Sequence, residues 1–154
     1  MRVILLLGSL LLVLLAGCEK LKNSPVDVSH TPLVGRWYGE QISELGDARI
    51  HDQLYLQLKA DGYVDYHYLS CEFMPGQLVQ EKRLDLLHMP VIRLNTVKMV
   101  VQNYPLTPKF ELTLGAWPDE NAGQWVVDNI ALQPAADDKL LRVTEGTCQP
   151  PVVQ

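Results

Sequence analysis

Residues 52–70 read DQLYLQLKADGYVDYHYLS. Leu54, Leu56 and Leu58 alternate with Tyr55, Gln57 and Lys59, the period of two that belongs to a β-strand with one face on a core. Asp61-Gly62 marks a turn, and the residues on either side decide its length. A two-residue loop would set Leu58 opposite Asp65 and bring a carboxylate onto the apolar face. A three-residue loop, Ala60-Asp61-Gly62 with Gly62 in left-handed backbone, pairs Lys59 with Tyr63, Leu58 with Val64, Leu56 with Tyr66 and Leu54 with Tyr68. One face is then wholly apolar or aromatic, while Gln57 faces Asp65 and Tyr55 faces His67 on the other. A slip of one residue would turn every side chain to the wrong face, so the pattern selects the bulged hairpin.

Further strand patterns cover 34–40, 79–87, 92–102, 109–117, 124–132 and 139–144. Met89-Pro90 separates the second of these from the third, and the turn-rich PDENAG (118–123) reads as a hairpin loop. The stretch LDLLHM (84–89) also fits a helical turn. Seven or eight short strands without a long helical pattern predict an all-β fold, a small antiparallel up-and-down barrel or, alternatively, a β-sandwich.

The N-terminus is of a different kind. Residues 3–16 carry no charge and are dominated by Leu, Ile and Val. As a helix they would reach about 21 Å, short of a hydrocarbon core of about 30 Å. Arg2 supplies a positive start and Ala16-Gly17 the small residues before a cut, which is the anatomy of a secretory signal. Leu15-Ala16-Gly17-Cys18 resembles a bacterial lipobox. That resemblance implies a diacylglycerol on the Cys18 thiol, since only a thiol can form the thioether, and cleavage after Gly17. The alternative is an ordinary signal peptide with a chance cysteine. Glu19, where aspartate would retain such a protein in the inner membrane, implies an outer-membrane address facing the periplasm. Two or three acyl chains anchor stably where one is marginal. The expected organisation is a signal over 1–17, a lipidated Cys18 with a flexible tether to 32, a barrel domain over 33–148 and a tail over 149–154.

Removing residues 1–17 takes away one of 13 Lys and Arg, namely Arg2, and none of the 18 Asp and Glu, so the formal charge moves from −5 to −6. No basic stripe is present, so nucleic acid is not an expected partner. With Cys18 spent on lipid, Cys71 and Cys148 remain as a pair in an oxidising compartment. A bond between them would close a loop of about 77 residues, worth about 4.5 kcal/mol on the chain-entropy model. Two free buried thiols are the alternative.

The segment LVGRWYGE (33–40) holds Gly35, Trp37 and Gly39. It resembles the Gly-x-Trp signature of the first strand in lipocalins and related calycin barrels. The resemblance implies that Trp37 closes one barrel end with an arginine from near the last strand packed over it, and Arg142 in LLRVTEG stands at the matching place. The second lipocalin motif, Thr-Asp-Tyr, is not recognisable. A Trp filling an ordinary β core is the plainer alternative.

No catalytic motif emerges. His30, His51, His67 and His88 share no metal-ligand spacing, and His67 is expected to face outward into solvent. No nucleophile elbow, Walker loop or zinc-protease helix occurs, so no catalytic residue, metal or cofactor is expected. Tyr66 and Tyr68 on the inner face could orient a lipid or other amphiphile, or could belong to a filled core with hydroxyls at the rim. Two functions fit: a membrane-anchored, non-catalytic barrel binding a small hydrophobic or amphiphilic ligand, and an envelope protein-interaction module. The second would be an assembly accessory or an inhibitor of a hydrolase such as lysozyme, using an acidic turn such as Asp119-Glu120-Asn121 on a basic cleft.

Overall fold

The hairpin of residues 52–70 forms in the register that its alternation demands. In the computed structural model, which describes residues 22–75, 77–115, 124–136 and 138–149, Leu58 pairs with Val64, Leu56 with Tyr66 and Leu54 with Tyr68. Lys59 N donates to Tyr63 O at 2.8 Å and Gly62 N to Lys59 O at 3.0 Å, closing the three-residue loop. Gly62 sits at φ +81°, and a Cβ there would lie 2.5 Å from Val26 O, so glycine is required twice over. The expected signal segment over 1–17, Cys18, the expected turn at Asp119-Glu120-Asn121 and residues 150–154 lie outside the described residues.

The described strands number eight, this hairpin supplying two of them: β1 (Gly35–Leu45), β2 (Ala48–Leu58), β3 (Tyr63–Met74), β4 (Gln77–Leu94), β5 (Lys98–Val101), β6 (Phe110–Thr113), β7 (Trp125–Val127) and β8 (Ile130–Pro134). Their order is β6-β5-β4-β3-β2-β1-β8-β7. Every pairing is antiparallel, and a single bridge, Leu114 to Val127, joins the end of β6 to β7. The strand order thus returns on itself as an all-β, up-and-down barrel rather than two facing sheets.

Local chemistry explains where the elements depart from expectation. Residues 124–132 form two strands, not one, because Asp128 (φ 47°) and Asn129 (φ 67°) make a two-residue turn with both central residues left-handed. Aspartate and asparagine tolerate that conformation, but neither carries the strong signal of an Asn-Gly pair. Residues 79–87 and the start of 92–102 merge in β4, which runs straight through LDLLHM and Pro90. Between Met89 and Leu86, β4 takes three steps while β3 takes two, from Val64 to Tyr66. This bulge puts His88 at φ 51°. Its amide donates to Asp65 Oδ1 at 2.7 Å, and its ring stacks on Tyr63 at 4.1 Å. The bulge bends β4 so that Val91 to Leu94 can leave β3 and pair with β5.

The interior is built from the inward residues of these strands. Leu54, Leu56, Val91, Met99, Val101 and Trp125 are all 0 % exposed. Trp37 lies inside at 6 % exposure, its Nε1 donating to Leu33 O at 2.8 Å and its ring meeting Trp125 edge-on at 5.8 Å. Gly39 is needed where β8 crosses, since a Cβ there would sit 2.3 Å from Ala131 O.

The stretch expected to be a tether to residue 32 is tied down from Asn23 onward. Asn23 N bonds to Asn103 O at 2.9 Å, Val26 N bonds to Val91 O at 2.8 Å, and Val28 and Leu33 are wholly buried in the core. Apolar residues at 26, 28, 33 and 34, isolated among polar ones, fill the space beneath the β2–β3 turn instead of repeating along a strand.

Candidate functional site

The outer face of the same hairpin carries a second small core. Tyr55, Leu69, Cys71, Phe73 and Val143 form a buried cluster, with Tyr38, Leu140, Ala135 and Cys148 at its margin. What covers it is a helix, α1 (Asp138–Thr144). Residues 139–144 were expected to be a strand; Leu140 and Val143, three apart, instead share one helical face, with Asp138 in the first turn and Arg142 in the last as the helix dipole favours. The Cys71–Cys148 disulfide, with Cα atoms 5.6 Å apart, fastens the segment after the helix to β3. Arg83 of β4 completes the attachment by donating to Val143 O at 2.6 Å, Thr144 O at 2.9 Å and Gly146 O at 2.7 Å, carbonyls left open where the helix ends.

Two expectations change here. Arg142 does not lie over Trp37: it is exposed on α1, outside the barrel and beside Tyr38, whereas the Trp37 ring is inside. Adjacent strand residues point to opposite faces, so a helix on the outer face reaches Tyr38 and not its neighbour. His67 faces outward as expected, yet it is only 7 % exposed. Its Nδ1 lies 2.6 Å from Asp85 Oδ1, and its ring tilts against Tyr55. No local signal in HYLS reveals that another element lies on that face.

Beside α1 the outer surface is hollowed. One hollow of about 320 Å³ lies between Tyr38, Glu40, Gln133 and Lys139. A second, of about 450 Å³, lies between Glu40, His51, Gln53, Arg142 and Glu145. Glu40 belongs to both, accepting from Tyr38 Oη at 3.2 Å and lying 3.2 Å from His51 Nε2. Lys139 Nζ sits 5.3 Å from the centre of the Tyr38 ring. Burial, then the Glu40 charge, push the Tyr38 phenol up to about 12, against the opposing pull of Arg142. The result is a polar, mixed-charge trough, not an apolar calyx.

The strands themselves form the larger feature. β1 to β4 are 11, 11, 12 and 18 residues long, whereas β5 to β8 have 4, 4, 3 and 5. Their far ends therefore project as a four-stranded platform. Among the described residues, β1 meets β8 only at Trp37 and Tyr38, and β4 meets β5 only between Val91 and Leu94. Along residues 41–45 of β1 and 77–88 of β4, the side facing away from β2 and β3 is thus an edge with no described strand beside it. Ile42 (52 %), Leu45 (73 %) and Val79 (57 %) are exposed on this platform, with Met74 and Leu78. Glu81, Lys82, Arg83 and Asp85 line the β4 edge, a charge pattern that resists indiscriminate strand addition.

The tyrosines named from sequence take different positions. Tyr66 is in the core at 4 % exposure, edge-on to Phe110 at 5.4 Å, and burial drives its phenol far above its ordinary value. Tyr68 is half-buried, its hydroxyl donating to Asp52 Oδ1 at 2.7 Å. Burial raises the Asp128 carboxyl, partly offset by the Thr113 amide that donates to it. Gly35 opens β1, its open side facing Trp37. Among the described residues no three His, Cys, Asp or Glu side chains are arranged to hold a metal.

Comparison with protein-family models, curated proteins and solved structures finds no match for this chain.

Proposed function

We propose that this chain is a lipid-anchored protein of the bacterial cell envelope that works as a non-catalytic interaction module, engaging an envelope protein through the β1–β4 platform. One contrast carries the reading. The interior of the barrel is occupied by its own side chains, Tyr66 included, while the platform offers outer backbone edges that no described strand pairs and exposed Ile42, Leu45 and Val79. An extended segment added to a sheet edge gains main-chain hydrogen bonds, and alternate side chains supply selectivity. A net charge of −6 after removal of residues 1–17 suits a basic partner, with binding that weakens as salt rises. The lipobox supplies the address: acyl chains on Cys18, with Glu19 favouring the outer membrane facing the periplasm.

A second reading, a carrier of a small hydrophobic or amphiphilic ligand, is favoured by one observation. Trp125 Nε1 is buried inside the barrel with no hydrogen-bond acceptor, and a guest acceptor could satisfy it.

Native mass spectrometry of the mature Cys18→Ser chain, purified from an oxidising compartment, separates the two. A bare mass supports action through the surface, and a retained mass of small-molecule size supports the carrier. A photo-reactive side chain at Val79 in living cells then tests the platform. A specific, salt-sensitive protein adduct is expected, and its absence would end the edge-docking reading.

A further inference from the structure

The loop between β5 and β6 displays the most exposed large apolar residue among those described. Leu106 is 99 % exposed, with Tyr104 at 43 % two positions before it. A lone exposed leucine means little, but this one stands on a constructed turn. The side chain of Gln102, itself only 4 % exposed, donates through Nε2 to Thr107 O at 2.6 Å and Pro105 O at 3.1 Å. Thr107 Oγ1 donates to Tyr104 O at 2.9 Å, and Thr107 N reaches the same carbonyl at 3.0 Å. A buried amide thus holds the turn while Leu106 at its tip stays exposed.

The place of Asn23, five residues after Cys18, says what the tip would meet. Asn23 N donates to Asn103 O at 2.9 Å, and Asn23 Nδ2 donates to Gln102 O at 2.8 Å. The same residue that builds the turn therefore holds the segment leading back to Cys18. Five residue steps allow at most about 18 Å between Cys18 and Asn23. An acylated Cys18 thus keeps this side of the barrel against the bilayer. The tip of the β1–β2 hairpin lies far from this segment: Val26 lies under the β2–β3 turn at Gly62, and β2 runs about 33 Å from there to Ala48.

We infer that the Tyr104–Leu106 loop is a second membrane contact, entering the interfacial layer of the bilayer that holds Cys18 and fixing the barrel's orientation. Leucine at the tip with tyrosine beside it suits the boundary between acyl chains and headgroups, and Lys22 and Lys109, next to the two tied segments, suit anionic phosphate. The inference rests on acylation of Cys18, so the test reads that first.

The intact mass of the full chain extracted from membranes reports the acyl groups. The acylated chain is reconstituted in vesicles of phosphatidylethanolamine with a minority of phosphatidylglycerol, bearing benzoylphenylalanine at position 106 or, as the distal control, at position 45. Position 106 should give about tenfold more phospholipid adduct, since only it can reach the acyl region. A chain without acyl mass on Cys18 overturns the anchor and this inference together. An acylated chain with equal adducts at the two positions overturns the loop contact alone. A protein adduct at 106 in cells, in place of lipid, also overturns it.

Discussion

The two faces of the β2–β3 hairpin bury their residues against different things. The inner face, Leu54, Leu56, Leu58, Val64 and Tyr66, meets the rest of the barrel, whose strands follow in sequence. The outer face, Tyr55, Leu69, Cys71 and Phe73, meets a short helix that arrives from the end of the domain, tied by a disulfide and by Arg83. The first face needs only alternation. The second depends on a non-local attachment, and alternation alone would leave it half polar and exposed. An apolar outer row on a strand is therefore a sign of a covering element.

The comparison can be broken at its strongest point by reducing Cys71–Cys148. The chain-entropy estimate is a loss of about 4.5 kcal/mol. Urea unfolding followed by tryptophan fluorescence and by near-ultraviolet circular dichroism should show a single weakened transition if both faces unfold as one. Two separated transitions would make the helix-covered core an independent unit. On the inner face, Trp37→Ala removes a ring buried against Trp125 and should cost about 3–5 kcal/mol by the same measurement. A near-neutral result would mean that the ring does not support the core.

Arg83→Ala strips three carbonyl contacts from the end of α1 and should cost about 1–2 kcal/mol, less than three full hydrogen bonds because the site is partly wet. Amide exchange of residues 140–146 should quicken while that of β5 and β6 stays unchanged; uniform acceleration would show that the cap supports the barrel too.

Two titrations give smaller effects. Burial pushes the Asp65 carboxyl up, but Lys59 at 2.7 Å, the His88 amide and nearby His67 outweigh it and hold the group below its ordinary value. A depressed carboxyl contributes stability that is present above its unfolded value and lost as pH falls through its folded one. Asp65→Asn should therefore be less stable than wild type above about pH 4, with the gap closing below it. A constant gap would mean that the charge is irrelevant to the bulge. Tyr38, raised to about 12, contributes stability present below its unfolded value near 10 and lost as pH rises towards 12. Absorbance titration should show a late-ionising phenol that Tyr38→Phe removes.

Legibility in the sequence followed how locally each feature is encoded. The bulged β2–β3 loop could be derived because moving its register by one residue would bury Asp65, a penalty visible within nineteen letters. The Cys71–Cys148 bond followed from counting thiols after one was assigned to lipid, and the pair is joined. The Asp128-Asn129 turn was hidden because two tolerant residues in left-handed backbone leave no glycine to mark them. Arg142 was placed beside Trp37 by analogy with a terminal strand, and the helix carried it to the opposite face of the sheet.

Alternation and turn residues by themselves determined an antiparallel all-β domain and its central hairpin register, and the cysteine count made Cys71–Cys148 the expected cross-link, because each depends on chemistry within a few residues or on a count. Only the tertiary structure decided that the strands close into a barrel, that β1 to β4 project beyond it, and that Gln102 joins Asn23 to the turn that carries an exposed leucine. Those features arise where segments distant in sequence compete for the same space, and the strand period carries no record of which distant segment wins.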